Sequence, residues 1–291
     1  MPPNDPIAID RRVPPFDQYT SIRWLAPVRS GHESHAHVRH QLYVARGRKN
    51  PVDVLIKLTS KPGLVYEQDL SNEISTLSTI GRELPDSRYF PFLVDHGRLN
   101  DGRVYLIMSL FDELPLATIV GAERMPHRLV GHLMTAIEVA RALSEIHRLE
   151  IFHVDLNPMN ILHRAVRGRP VIRLVDFESS YESARHRAGT FYNPPTTPGY
   201  TAPEVSHQAP DARSDLFSLG AVLHTLLAGN LWVAGETLVS RIEADDTLDV
   251  ELRKALRAAV DPDPAKRHPS VAAFQADLIA YLEQIWPGRS W

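Results

Sequence analysis

An α+β fold, with a small β-rich part followed by a larger helical part, is predicted by three observations. Apolar runs broken by turn residues dominate the first third of the chain. Apolar stripes at helical spacing dominate after Phe111. At 291 residues, with ordinary apolar and charged fractions, the chain exceeds one average domain and suits a single enzyme of two lobes.

In chain order, residues 1–18 form a Pro-rich arm, expected to be poorly ordered unless it docks. Its first part has no apolar core, so it does not read as a signal peptide. From Ile22 to Leu58 the pattern is strand-like, with Gln41–Ala45 and Val52–Leu58 flanking a turn at Gly47–Pro51. Leu70, Ile74 and Leu77 recur at helical spacing, and Gly81 is expected to close that helix. Two further strands, Phe92–Arg98 and Arg103–Met108, meet at the turn Asn100-Asp101-Gly102.

Beyond Phe111, Leu133, Ile137, Ala140, Leu143 and Ile146 or His147 form the apolar stripe of a helix. A strand over Val171–Asp176 precedes a Ser/Thr/Pro-rich stretch, Glu178–Thr201. Helices are expected over Ser214–Ala228, Leu248–Val260 and Val271–Trp286. The longest apolar stretch, Leu216–Ala234, is interrupted by His224, Thr225 and Asn230 and reads as a buried helix, since a membrane span needs about 20 mostly apolar residues.

Several function classes are disfavoured by composition. A net charge of -3 with both signs interspersed is no footprint for nucleic acid or an anionic membrane. The absence of cysteine removes disulfides, thiolate metal sites and thiol nucleophiles, and fits a cytoplasmic location. His32, His35, His37 and His40 invite a metal reading, but no carboxylate or thiolate completes the set, and exposed hairpin histidines are the simpler account.

The chemistry is concentrated in His153-Val154-Asp155-Leu156-Asn157-Pro158-Met159-Asn160, followed past a hairpin-like segment by Asp176-Phe177-Glu178. One carboxylate, an amide five residues on, and a second carboxylate is the order of a phosphoryl-transfer base and two magnesium ligands. The run resembles the H-R-D-L-x-x-x-N and D-F-G motifs of eukaryotic-like Ser/Thr protein kinases. Val54-Leu55-Ile56-Lys57 is similar to their V-A-I-K, with Glu73 as the expected partner of Lys57. Thr197-Pro198-Gly199-Tyr200-Thr201-Ala202-Pro203-Glu204 resembles the end of their activation segment. Asp211–Gly220 resembles the start of their central helix, and Asp263-Pro264-Ala265-Lys266-Arg267 their P-x-x-R element.

The resemblance covers about Tyr19 to Trp286 and implies the bilobal protein-kinase-like plan: a small lobe over 19–110 and a large lobe over 111–291. It implies ATP and Mg2+ as cofactors and a protein substrate or regulatory partner, with no nucleic acid and no membrane. Asp155 takes the role of catalytic base, and Asn160 and Asp176 those of magnesium ligands. Gly31, Val38, Lys57, Glu73, Met108 and Leu110 take nucleotide-binding positions. Asp215 is expected to accept backbone hydrogen bonds from the catalytic loop, Arg267 to pair with Glu204, and the Thr197 hydroxyl to reach Asp155. His153 is expected to be a packed structural imidazole.

Departures from the pattern keep alternatives open. The phosphate-covering loop, aligned on Val38, keeps one glycine, Gly31, and carries Glu33 where phosphate should lie. Asn157 replaces a lysine, Glu178 a glycine, and Val154 the arginine that in many members clamps a phosphorylated activation loop. The leading reading is a kinase that needs no activation-loop phosphorylation, with Ser179, Ser180, Ser183, Thr190 and Thr196 as the candidate hydroxyls. A pseudokinase acting as nucleotide-binding or scaffolding module is the second reading. A small-molecule kinase is the third, opposed by Ala202-Pro203-Glu204 and the Asp215 helix.

Overall fold

The computed structural model describes residues 8–25, 39–120, 126–190, 192–230 and 237–288. It divides into two compact units. One takes the chain up to Pro85 together with Pro91–Asp112, and the other takes Asp86–Phe90 and everything from Glu113.

In the first unit five strands form one antiparallel sheet: β1 (Tyr19–Trp24), β2 (His40–Gly47), β3 (Asp53–Thr59), β4 (Leu93–Arg98) and β5 (Val104–Ser109), in the order β1-β2-β3-β5-β4. The turn between β2 and β3 lies where Gly47–Pro51 was expected. It needs its glycine, because a Cβ at Gly47 would stand 2.2 Å from the Asn50 carbonyl oxygen. Helix α1 (Leu64–Glu83) buries Leu70, Leu77 and Ile80. Gly81 does not close it. The chain leaves the helix at Leu84, and Pro85 next in line disfavours helical geometry there.

The Pro-rich arm is docked over its described part. Phe16, in a short 3-10 turn, is 3% exposed and joins Tyr19, Ile22, Tyr43, Ile56 and Ile107 in a core on one face of the sheet. Its ring meets Tyr105 edge-on at 6.0 Å. Arg11 donates to the Ile22 carbonyl at 2.9 Å, and the Arg48 amide donates to the Gln18 carbonyl at 2.9 Å. Burying a phenylalanine contributes about 1.5–3 kcal/mol, enough to offset ordering one or two residues.

The second unit is mainly helical: α2 (Pro126–His147), α3 (Ser183–Arg187), α4 (Ala212–Ala228), α5 (Leu238–Ala244), α6 (Val250–Ala259) and α7 (Val271–Ile285). Strands β6 (Leu114–Pro115), β8 (Ile161–Val166) and β9 (Arg169–Leu174) pair in the order β6-β8-β9, and β7 (Ile151–Phe152) pairs with β10 (Tyr181–Glu182). Helices α3 and α5 were not anticipated, being too short to display a 3.6-residue period.

Helix α4 is the buried centre of this unit, with Ser214 through Leu226 all buried. Asp211 caps its first turn in a reciprocal box with Ser214, and Gly229 ends it in the left-handed conformation at φ 72°. Such an apolar helix is stabilised by packing on every side rather than by amphipathicity. Among the described residues no helix is long and apolar enough to cross a membrane.

Candidate functional site

Lys57 sits on β3, a strand whose apolar neighbours Ile56 and Leu58 are fully buried. Its ammonium donates to Glu73 Oε2 on α1 at 2.6 Å, with side chains 8% and 0% exposed. The pairing expected from two residues sixteen positions apart is present, and losing either partner would strand a buried charge. Met108, at the end of β5, is 3% exposed, and the Leu110 amide just beyond donates to the Asp53 carbonyl at 3.3 Å. Gly31 and Val38 lie outside the described residues, as do His32, Glu33, His35 and His37. His40 is described, and its Nε2 lies 2.9 Å from the Tyr66 carbonyl oxygen.

The second unit builds the loop that carries Asp155. Its anchor is the Asp215 carboxylate on α4, which is fully buried. Asp215 Oδ2 accepts from the His153 amide at 2.9 Å, and Oδ1 accepts from the Val154 amide at 2.7 Å. His147 Nε2, from the end of α2, stands 2.8 Å from Oδ2. These bonds hold Val154 at φ 66°, a left-handed conformation that a β-branched side chain adopts only under constraint. Such strain costs on the order of 1–3 kcal/mol and persists where surrounding structure over-determines it. His153 is indeed a packed imidazole: its ring lies 4.8 Å from that of Phe177 and its Nε2 is 3.0 Å from the Val175 carbonyl oxygen.

Asp155, next in line, is held from two sides. Its Oδ1 accepts from Thr197 Oγ1 at 2.5 Å and its Oδ2 from Asn160 Nδ2 at 3.2 Å. Burial pushes its carboxyl up. The Thr197 hydrogen bond opposes that and the nearby Asp176 charge reinforces it, leaving the group at about 6. Asp176 itself sits in the left-handed region at φ 67°. Because Asn160 commits its NH2 to Asp155, its Oδ1 remains as an acceptor. That oxygen and the Asp176 carboxylate are hard donors of the type magnesium takes, and a dication would relieve the repulsion between the two aspartates.

Asn157 does something its position in the motif does not disclose. Its Nδ2 donates to the Asp155 carbonyl at 3.0 Å and its Oδ1 accepts from the Met159 amide at 2.9 Å. The amide that stands in a lysine's place is thus consumed in folding its own loop. The signal for this was the Asn-Pro dipeptide, a turn former.

Across this chain the protein kinase domain model matches residues 65–282. The chain belongs to the protein kinase domain family. It is 33% identical over 221 residues to the DNA damage-responsive serine/threonine-protein kinase RqkA of Deinococcus radiodurans, a match covering 74% of this chain and 30% of that protein. Over 202 residues it is 31% identical to the serine/threonine-protein kinase Pkn1 of Myxococcus xanthus, covering 63% of this chain and 28% of that one. The match therefore spans less than a third of either relative's length. Among solved structures, the PknI kinase domain of Mycobacterium tuberculosis covers 94% of this chain at a TM-score of 0.63 and 20% identity, which shows the shared fold.

The segment after Asp176 is tied down along this kinase domain's helical unit. Residues Tyr181 and Glu182 pair with Phe152 and Ile151. Thr201 Oγ1 accepts from the Thr197 amide at 2.9 Å, Ser218 Oγ donates to the Tyr200 carbonyl at 2.7 Å, and the Tyr200 hydroxyl meets Thr225 Oγ1 at 3.0 Å. Two of the hydroxyls considered for modification are inaccessible: Ser180 is 0% exposed and donates to the Phe177 carbonyl, and Ser183 is 1% exposed. Thr190 and Thr196 are exposed. Arg185 pairs with Glu182 at 3.2 Å.

Glu204 and Arg267 form the expected ion pair, in bidentate geometry at 2.7 and 2.8 Å. Ser214 Oγ also donates to Glu204, and Arg267 donates to the Asp261 and Arg213 carbonyls and lies over the Phe217 ring. Burial alone would raise the Glu204 carboxyl, but the Arg267 hydrogen bond and its other donors outweigh that and hold it below the usual range. A carboxylate depressed on folding stabilises above its unfolded value and loses that contribution as pH falls. Arg267→Ala should cost about 3–5 kcal/mol at neutral pH. Denaturant melts should show the gap to wild type narrowing as pH falls: burial lets an orphaned Glu204 protonate above the ordinary glutamate range, and the wild-type pair loses its contribution below that range. An unchanged melting curve at pH 7 would contradict the assignment.

Proposed function

We propose that this chain is an ATP- and magnesium-dependent protein kinase that transfers the γ-phosphoryl group to a serine or threonine hydroxyl of a protein substrate. The observation that carries the reading is the Asp155 carboxylate, held between Thr197 and Asn160 in a loop tethered to Asp215. Asp155 orients the substrate hydroxyl and accepts its proton as the oxygen bonds to the γ-phosphorus and the bridging bond to ADP breaks. Lys57, steadied by Glu73, neutralises phosphate charge. Asn160 and Asp176 would hold magnesium, which when bound offsets the charge of the phosphates. A protein rather than a small molecule as substrate is supported by the Glu204–Arg267 pair, which holds the end of the activation segment as a platform.

A pseudokinase remains the second reading, favoured by one observation: Asn157 brings no positive charge to the transferring phosphoryl, and its amide is hydrogen-bonded within the loop through both its nitrogen and its oxygen. Labelled ATP with a generic acceptor protein separates the two. Transfer should occur, and Asp155→Asn should lower it about 10²–10⁴-fold, the usual contribution of a positioned base, while nucleotide still shifts the melting temperature. Binding with no transfer by wild type would establish the pseudokinase instead.

We further infer that activity does not depend on phosphorylation of the activation segment. Val154 is 1% exposed with its amide on Asp215, so it offers neither charge nor donor to a phosphate. Order in the segment comes from Thr197, Tyr200 and Thr201. Phosphatase-treated protein, and a variant with the exposed Thr190 and Thr196 replaced by alanine, should retain most wild-type transfer. Loss of most activity in either folded preparation would refute the inference.

A further inference from the structure

A cavity lies on the helical unit, and none of the residues assigned to phosphoryl transfer lines it. On α2, Met134, Ile137, Glu138 and Arg141 follow the i, i+3, i+4, i+7 spacing that places them on one face. That face, the end of the β8–β9 hairpin and Arg88 enclose a cavity of about 350 Å³. Its wall is aliphatic, from Met134 and Ile137 on the helix and from Val166 and Val171 on the hairpin. Arg88, Arg141 and Arg169 stand around it.

The single acid at this cavity is already satisfied. Glu138, 8% exposed, accepts from Arg88 at 2.9 Å, from the Tyr89 hydroxyl at 3.0 Å and from Arg141. Three guanidinium groups against one carboxylate leave an excess of two positive charges. The Arg88 and Arg141 side chains are 65% and 37% exposed, so both keep donors in solvent. Arg169 is exposed, and its side chain makes no hydrogen bond or ion pair among the described residues. The hairpin from 164 to 173 carries Arg164, Arg167, Arg169 and Arg173 and no acid, in a chain whose net charge is -3. Arg164 and Arg173 share the buried Glu113 at 3.4 and 3.5 Å, so the positive charge left in excess at the cavity rests on Arg88, Arg141 and Arg169 against Glu138.

We propose that this cavity docks an acidic segment of a partner protein, an aliphatic side chain entering it and flanking carboxylates meeting the arginines. Guanidinium forks take carboxylates in bidentate pairs, and arginine rather than lysine supplies every cation at this rim. The volume lies at the small end of ligand-holding pockets, roughly 300–1,000 Å³, which suits one or two side chains. A single-stranded nucleic acid would seek aromatic faces for its bases, and among the described residues none lines this cavity. The site does not depend on whether the chain transfers phosphate.

Fluorescence anisotropy with a short labelled peptide alternating glutamate with leucine tests it. Controls are a lysine–leucine peptide, a glutamate-only peptide and a labelled RNA of the same length. The glutamate–leucine peptide should bind most tightly, and more weakly at high salt. Arg169→Glu and Val166→Glu, both at exposed hairpin positions, should each weaken it about tenfold, or about 1.4 kcal/mol, without altering the melting temperature. Equal binding by either variant and wild type would overturn the site. Binding of the glutamate-only peptide or the RNA as tight as that of the glutamate–leucine peptide would overturn the proposed occupant.

Discussion

The Asp215 carboxylate is the constraint on which the rest of the catalytic unit depends. It is buried in the first turn of the most buried helix, where an unpaired charge would cost several kcal/mol. What compensates it is a convergence of donors: two successive amides, His153 and Val154, and the His147 ring. Satisfying one buried group thereby fixes the course of the chain. Val154 is bent into the left-handed region, and Asp155, immediately after it, is delivered to Thr197 and Asn160. The strain at Val154 and the burial of Asp215 are two sides of one arrangement, each explaining why the other persists.

Much of this was legible because the motifs around Lys57, Glu204 and Arg267 resemble those of protein kinases. The resemblance implied Glu73 as the partner of Lys57 and Arg267 as that of Glu204, and each pair is present. The fold class followed from periodicity, which is why the long stripe of α2 and the buried run of α4 were readable while α3 and α5, of one or two turns, were not. Gly81 misled because glycine tolerates a helix interior, and the Leu84-Pro85 step was the truer stop signal. The docking of the arm was hidden for another reason: its proline content marks a lack of regular structure, and only Phe16 hinted at an attachment. Asn157 shows the limit of motif matching, since its spacing assigned a position and its hydrogen bonds assigned a different task.

The departures from the family pattern are also coherent with one another. With Val154 in place of an arginine, nothing in the catalytic loop can receive a phosphate. The segment ending at Glu204 is instead ordered by hydrogen bonds of the Thr197, Tyr200 and Thr201 hydroxyls and by the buried pair with Arg267. The same loop is therefore braced twice, from α4 below Val154 and from the activation segment at Asp155.

Hydrogen–deuterium exchange on Asp215→Ala tests the central claim most directly. Removing the acceptor should release the strain at Val154 and free the His153 and Val154 amides. The peptide spanning residues 151–160, and with it the segment around Thr197, should then lose protection while α6 and α7 keep theirs. If the 151–160 peptide keeps its wild-type protection in a folded Asp215→Ala protein, the loop is held by something else and the account fails.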